Sequence, residues 1–556
     1  MIKDIKLKFG KAPGATTEAI QVTPVTVFVG PNNSGKSKVL SEINRYCSSG
    51  QRNVTDVILE SIEFEIFPSD VAAQKIQHVT LKPQHGEALL PDHVIVGKRG
   101  SRHQLPVQNL VNAFQNTNSN PTQFCQWYLQ YNTLILDGSS RIGLINQQSA
   151  GDLQQPPQSS FQVLFKDDIK RANVRRIIHD AFGTYFVIDP TQLGSMRLRL
   201  SSRQPSDNLE ERGIHEHAVS FHARAVPIEQ SSDGVKAFVG MITEIIAGDP
   251  AVLLIDEPEA FLHPALAFKL GKEIARASLE SEKRLFVSTH SPNFVMGCIQ
   301  SGSPVTIIRL TYRDGIATAR TLPNKDILKL MRNPLLRSTG VLSGLFYEFV
   351  VVTESDTDRA FYQEINDRLL HFMPELGIPN CLFINAQNKQ TIQTIIRPLR
   401  ELGIPSVGIV DIDILKEGGF VWASFLESGF VPEIERQSLA TSRSAVKQKF
   451  DETGKEMKRK GGIDLLLGND KEAANNLFER LSEYGLFVVR RGELESWLPH
   501  LNVTGHGPSW LITVFEKMGE DPTAPGYLKP STEDVWKFIS DIKQWLTNST
   551  RKGIPT

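Results

Sequence analysis

The chain has 556 residues, 40% hydrophobic and 22% charged, the balance of an ordinary globular protein with room for roughly two to four domains. Its 61 basic and 62 acidic residues leave a net charge of −1, so no whole-molecule field attracts nucleic acid and any such contact must come from local patches. Four scattered cysteines (Cys47, Cys125, Cys298, Cys381) form no CxxC pair, which argues against a zinc ribbon or disulfide framework. No apolar stretch approaches a bilayer span and no signal-peptide pattern opens the chain, so a cytoplasmic location with no membrane partner is expected.

The chain opens with alternating apolar residues (Ile2, Ile5, Leu7, Phe9). A buried-type strand, Val25 to Val29, then runs into Gly30-Pro-Asn-Asn-Ser-Gly35-Lys36-Ser37. This is the GxxxxGK[ST] phosphate loop in its strand-to-helix context. Gly30 and Gly35 let the backbone curl so that N–H groups, with Asn33 in the loop between them, surround phosphate oxygens. Lys36 should reach the β- and γ-phosphates of ATP, and the Ser37 hydroxyl should hold Mg²⁺.

About 220 residues separate this loop from the next nucleotide element. They hold no sustained heptads, which excludes a long coiled-coil arm. The interval from about 100 to 225 reads as a β-rich and loop-rich insert: a strand at Thr133 to Asp137, a Gln- and Pro-containing loop from Gln147 to Ser160, a strand at Phe186 to Asp189, then a polar stretch from Ser201 to Arg224. Next comes Gln230-Ser231-Ser232-Asp233-Gly234, a serine-glycine turn opening an amphipathic helix. The apolar run Ala251 to Ile255 ends in Asp256-Glu257, as an α/β active-site strand should. Asp256 would hold Mg²⁺ through water, and Glu257 would orient or deprotonate the attacking water. Leu285 to Thr289 leads into His290-Ser291-Pro292.

In this order the four motifs resemble those of the ABC-type ATPases. The resemblance implies that His290 contacts the γ-phosphate in its own subunit, while Ser232 and Gly234 contact it from a partner. ATP would then join two chains, so a homodimer or higher homo-oligomer through this domain is expected. Gln147 and Gln148 are the candidates for the Mg²⁺-sensing glutamine of such folds.

Beyond His290 a strand pair is expected near 305–309 and 317–321, followed by a Leu-rich helical connection through Asn333-Pro334. The first domain is placed at 1–345 and the second at 346–556, with a helical insert near 415–480. The second domain opens with the strand Tyr347 to Thr353, which ends at Glu354 and passes into a helix carrying Asp358, a metal ligand or a helix-start acid. The strand Ser406 to Val410 ends at Asp411-Ile412-Asp413. A Glu and an Asp-x-Asp closing two parallel strands can meet at one sheet edge and offer oxygen ligands to divalent cations. Leu486 to Val489 is a further strand, followed by Glu493 and Glu495.

This arrangement resembles the Toprim domain, with Thr353 where glycine is common. The fold class is therefore α/β: an ABC-type P-loop ATPase domain followed by a Toprim domain with a parallel sheet. That order resembles the OLD (overcoming lysogenization defect) family of nucleases, including the Gabija nuclease subunit and retron-associated effectors. The resemblance implies that Glu354 is a metal ligand and base, Asp411 and Asp413 are metal ligands, Glu495 is a second-metal ligand in competition with Glu493, and Lys529 stabilises phosphate charge in competition with Lys517. Two Mg²⁺ or Mn²⁺ ions would serve in-line displacement at a phosphodiester.

The function expected is an ATP-regulated, metal-dependent DNA endonuclease in anti-phage defence, with a helicase subunit or a reverse transcriptase and its RNA–DNA product as fitting partners. The alternative is an ATP-driven switch or scaffold whose Toprim domain is catalytically idle. A primase would bring a zinc ribbon, and a topoisomerase a further breakage-reunion domain. Basic candidates for a DNA track are Lys170, Arg171, Arg175, Arg176, Arg197, Arg199 and Arg203, and the run Lys447, Lys449, Lys455, Lys458, Arg459 and Lys460, each weighed against an ordinary solvated face.

Overall fold

A computed structural model describes residues 1–97, 102–154, 157–322, 327–328, 332–334, 336 and 340–555. The Leu-rich connection through Asn333-Pro334 lies partly outside the described residues. The chain forms two compact units, Met1–Asn324 and Lys325–Thr556.

The first unit is built on a six-stranded sheet ordered Ile316–Leu322, Val305–Arg313, Val25–Val29, Arg284–Ser288, Val252–Asp256, Thr133–Leu136. All neighbours are parallel except the first pair, the antiparallel hairpin. The Val25–Val29 strand is buried at every residue, as a strand covered on both faces must be. Its register with Arg284–Ser288, and that strand's register with Val252–Asp256, bring the ends of all three strands to one carboxyl edge, where the phosphate loop, Asp256 and the His290 segment emerge.

The interval from 100 to 225 departs from the β- and loop-rich expectation. It holds the helices Val107–Gln115, Pro121–Trp127, Ser160–Lys166, Asp168–Phe182 and Glu216–Arg224, among others, with only short strands between. Charge hides the helical period: the inward face of Asp168–Phe182 carries Arg171 beside Val174, Ile177 and Ile178. Arg171 is 2% exposed, its guanidinium bound by Glu211 at 3.0 Å, Asp168 at 2.7 Å and the Leu164 and Phe165 carbonyls. The strand Thr133–Leu136 is no part of an insert; it pairs with Val252–Asp256 and forms the edge of the ATPase sheet.

The second unit is organised by a four-stranded parallel sheet ordered Cys381–Asn385, Phe349–Thr353, Ser406–Asp411, Leu486–Val489. One face packs on the helices Asp356–Phe372, Pro508–Met518 and Asp534–Thr547 through Phe361, Tyr362, Trp510, Trp536 and Ile539. Between the third and fourth strands lie the helices Gly419–Ser428, Glu433–Glu452 and Gly468–Ser482. Among the described residues no helix is long and apolar enough to cross a membrane.

Candidate active sites

In the first unit the phosphate loop turns through Gly30 (φ 146°), Asn33 (φ 61°) and Gly35 (φ 94°). A Cβ on Gly30 would stand 2.0 Å from the Leu310 carbonyl oxygen, so only glycine fits this close approach. Lys36 Nζ donates to the carbonyls of Gly30 and Pro31 at 2.9 and 2.7 Å. Burial lowers its pKa to about 8, against the opposing pull of Glu257 and Asp256. The Ser37 hydroxyl donates to Asp256 Oδ1 at 2.9 Å, and the Ser288 hydroxyl donates to the same oxygen. The two groups suited to Mg²⁺ in a nucleotide complex thus adjoin.

Glu257 has φ +50°, a strained setting for a side-chain-bearing residue, and its Oε1 lies 3.4 Å from His290 Nε2. Burial, then the neighbouring Lys36, holds the His290 imidazole below its ordinary pKa and so favours its neutral form. Glu259 anchors this segment by accepting the Thr289 hydroxyl at 2.8 Å and the His290 N–H at 2.7 Å. Ser232 stands at the N-cap of Asp233–Ala247, exposed and without a capping hydrogen bond. Gly234 lies against Phe261, whose carbonyl oxygen would be 2.5 Å from an added Cβ.

Arg141 was missed by sequence reasoning. It is 2% exposed and donates to the carbonyls of Asp256, at 2.9 Å, and Glu257, fixing the corner on which both carboxylates stand. Its signal was the Asp137 capping box at the end of the Thr133–Leu136 strand, which starts the helix Gly138–Gly143 at this edge. Gln148 pairs instead with Met196 in a separate small sheet.

In the second unit Glu354 follows the Phe349–Thr353 strand and Asp411 closes Ser406–Asp411. Glu354 Oε1 accepts the Asp411 N–H at 2.9 Å. With Asp413, in the one-turn helix Ile412–Lys416, they offer ligand oxygens within 4.8 Å of one another. Burial raises the pKa of both Glu354 and Asp411, and acidic neighbours add to it: Asp413 for the first, Glu354 for the second. Asp413 Oδ1 is buried without a hydrogen-bond partner. Converging hard oxygens, mutual repulsion and an orphaned acceptor fit a divalent cation such as Mg²⁺ or Mn²⁺. Cations held there would activate a water and neutralise the leaving oxygen of a phosphodiester.

Asp358 is a helix-start acid: in a capping box it accepts the Ser355 N–H at 2.9 Å and hydroxyl at 2.7 Å. Glu495 does not join the Glu354 group but clusters with Glu493 and His506, again within 4.8 Å. The expectation for Lys529 is corrected. Its ammonium lies 5.6 Å from the centre of the Phe372 ring, at the last residue of the helix whose first turn carries Asp358. At 1.5 Å per residue that end is roughly 20 Å or more from Glu354. Lys517 donates to the carbonyls of Leu501 and Asn502 and shows no contact with the triad either.

The positive charge at the centre comes instead from Lys458 and Lys389. Lys458 Nζ is 2.8 Å from Asp411, 3.9 Å from Asp413 and 4.0 Å from Glu493, and Lys389 Nζ is 3.0 Å from Asp413. Burial works against the charge of Lys458, yet Asp411 and its acidic neighbours raise its pKa overall. Lys458 is therefore no member of a free basic track. The other basic segment is largely neutralised as well: Arg171 and Arg175 bind Glu211, Arg197 and Arg199 bind Asp189, and Arg203 binds Glu210.

Comparison with known proteins agrees with both sites. A family profile described as an AAA domain, putative AbiEii toxin, type IV TA system, matches residues 166–296. A second, described as the TOPRIM domain of overcoming lysogenization defect protein-like sequences, matches residues 345–413. No curated protein matches the chain. Among solved structures, the Smc head bound to the C-winged helix domain of ScpA is 15% identical with a TM-score of 0.33, covering 59% of this chain and 99% of that one. The SMC head domain from Thermotoga maritima is 12% identical with a TM-score of 0.30, covering 58% and 99%. A Smc head domain with an extended coiled coil, derived from Pyrococcus furiosus, is 14% identical with a TM-score of 0.31, covering 60% and 98%. Likeness at these scores assigns no residue a role. The two profiles and the two sites agree that the chain joins an AAA-type ATPase domain to an OLD-like TOPRIM domain, an ATPase and a metal-dependent nuclease in one polypeptide.

Proposed function

We propose that the protein is a DNA endonuclease of the OLD type, regulated by ATP and acting as the effector of an anti-phage defence system. The observation that carries the nuclease reading is the convergence of Glu354, Asp411 and Asp413 within 4.8 Å, with a buried acceptor on Asp413 that no protein donor satisfies. An idle docking domain has no use for three repelling carboxylates brought together at the expense of their solvation. In-line attack at a phosphodiester is the chemistry such a centre serves, and DNA is the polynucleotide proposed as its substrate. Mg²⁺ is the proposed ion at the triad.

ATP binding, more than turnover, sets the nuclease state in this reading. Ser232 is exposed and uncapped at the head of its helix, which supports a role toward the nucleotide of a second copy. ATP would then hold two chains together through Ser232 and Gly234 on one and Lys36 and His290 on the other. The test is to measure plasmid cleavage with Mg²⁺ alone, with ATP and with a non-hydrolysable analogue, alongside the mass of the protein in each state. Distinct cleavage rates, with the analogue matching ATP, support regulation by binding. Equal rates in all three conditions and a constant mass rule it out.

A further inference from the structure

The one-turn helix Ile412–Lys416 that carries Asp413 is too short to hold itself, since a single turn makes few internal hydrogen bonds. At its start the Ile412 N–H donates to the Gly492 carbonyl at 3.0 Å. Its end is held by a side chain from a different element. Arg443 Nη1 donates to the Leu415 carbonyl at 2.9 Å and to the Glu417 carbonyl at 2.7 Å, so one guanidinium nitrogen takes two carbonyls where the turn closes.

Arg443 belongs to the helix Glu433–Glu452, whose buried residues are Leu439, Val446 and Phe450. Position 443 falls on that same stripe, one turn past Leu439 and one before Val446, where an apolar side chain would serve the helix packing. An arginine stands there instead. Its guanidinium lies 5.6 Å from the centre of the buried Trp422 ring, and its Nε is buried without a hydrogen-bond partner. Partial burial of a guanidinium is unfavourable for the helix itself, and what the chain gains in return is the grip on the Asp413 turn.

The other restraints on Asp413 are ones a metal would release. Its Oδ2 faces Lys389 at 3.0 Å and Lys458 at 3.9 Å, and its Oδ1 has no hydrogen-bond partner. A divalent cation repels both ammonium groups, so with an ion bound the place of this carboxylate depends on the backbone of its turn. Resting on the metal-dependent nuclease reading above, we propose that Arg443 is a positioning residue for the Glu354, Asp411 and Asp413 centre. From a helix inserted between the third and fourth strands it fixes the turn that presents Asp413, and so sets how tightly the centre holds its ion. It acts through the Leu415 and Glu417 carbonyls and not as a ligand.

The test is calorimetric titration of the full-length protein with Mn²⁺, which needs no cleavage assay, with thermal unfolding of each variant alongside. Arg443→Met keeps an apolar stem over Trp422 and removes every donor; it should weaken Mn²⁺ binding by about tenfold or more, the effect of losing a partner that orients a metal ligand. Arg443→Lys, which retains one donor nitrogen, should fall between that variant and the wild type. Arg436→Met is the control: Arg436 lies on the same helix and binds the Val431 carbonyl at 2.7 Å and Glu427 at 2.9 Å, so its loss loosens the helix without touching the Asp413 turn. Mn²⁺ affinity in Arg436→Met should stay within about twofold of the wild type. Wild-type affinity in Arg443→Met, or an equal loss in Arg436→Met, overturns the proposal. The expected Mn²⁺ affinities in a wild-type protein that cuts no DNA overturn the nuclease reading instead and leave the positioning role standing, so the two failures are told apart.

Discussion

Lys458 Nζ lies 2.8 Å from Asp411 Oδ2, so an acid suited to holding a metal is ion-paired to a lysine that arrives from the region between two strands of the sheet. The same ammonium is 3.9 Å from Asp413. A divalent cation must compete with this positive charge. Lys458→Met should therefore tighten Mn²⁺ binding by roughly tenfold, since one unit charge within about 4 Å of the seat is removed. Lys458→Arg should leave the affinity near the wild-type value. Calorimetric titration checks both; weaker Mn²⁺ binding in Lys458→Met would show that the lysine organises the seat instead of opposing the ion.

The raised pKa values of Glu354 and Asp411 set a pH dependence. A carboxyl whose pKa is higher folded than unfolded binds its proton more tightly in the native state, so it favours folding at low pH and opposes folding once ionised. The metal-free protein should lose stability as pH rises from the ordinary carboxylate range through the raised values of these two groups. Mg²⁺ should restore it, and restore more at the higher pH, because protons no longer compete for the ligands. Thermal unfolding in EDTA and in Mg²⁺ across this range measures the effect. A Mg²⁺ stabilisation that shrinks as pH rises would contradict the assignment.

At the nucleotide site, Glu257→Gln should slow ATP hydrolysis by about 10²- to 10⁴-fold while ATP still binds, the signature of a lost general base. Lys36→Ala should lose ATP binding itself, because the buried ammonium is the loop's own charge for phosphate. Phosphate release and binding of a fluorescent ATP analogue separate the two outcomes. Hydrolysis by Glu257→Gln at the wild-type rate would remove that residue from the mechanism.

Glu211 is buried between Arg171, at 3.0 Å, and Arg175. Glu211→Ala removes a buried carboxylate from both guanidinium groups, leaving Arg171 its ion pair with Asp168 at 2.7 Å and Arg175 its bond to the Phe186 carbonyl, and should destabilise the first unit by about 1–3 kcal/mol. Chemical denaturation measures the loss. A change below about 1 kcal/mol would place the pair among surface bridges of little consequence.

Lys529→Ala should change DNA cleavage by less than about twofold, since its ammonium rests over Phe372 at the far end of the helix from Glu354. A large loss of cleavage would mean that Lys529 approaches the DNA in the working complex.

Local motifs were legible in the sequence, and groups assembled from distant segments were not. The phosphate loop, the Val252–Asp256 strand and the strand ending at Glu354 each state their role within about ten contiguous residues, because an apolar run followed by glycine or acid needs no tertiary context to read. Arg141 and Lys389 act through backbone corners or carboxylates far along the chain, and no periodicity marks them. Lys458 sat in a basic run that resembled a solvated face, until folding turned it onto Asp411. The helix Asp168–Phe182 hid because a buried arginine breaks its apolar stripe, and the partners that make that burial tolerable include Glu211, 40 residues along the chain.

The most direct measurement is plasmid cleavage by wild-type protein and by an Asp411→Asn, Asp413→Asn double variant, with Mg²⁺ or Mn²⁺ and with ATP hydrolysis recorded in parallel. Cleavage should fall to background in the variant while hydrolysis persists, because the carboxylates that hold the ions are gone and the ATPase residues are untouched. Cleavage by the variant at the wild-type rate would contradict metal-dependent strand cutting at this centre.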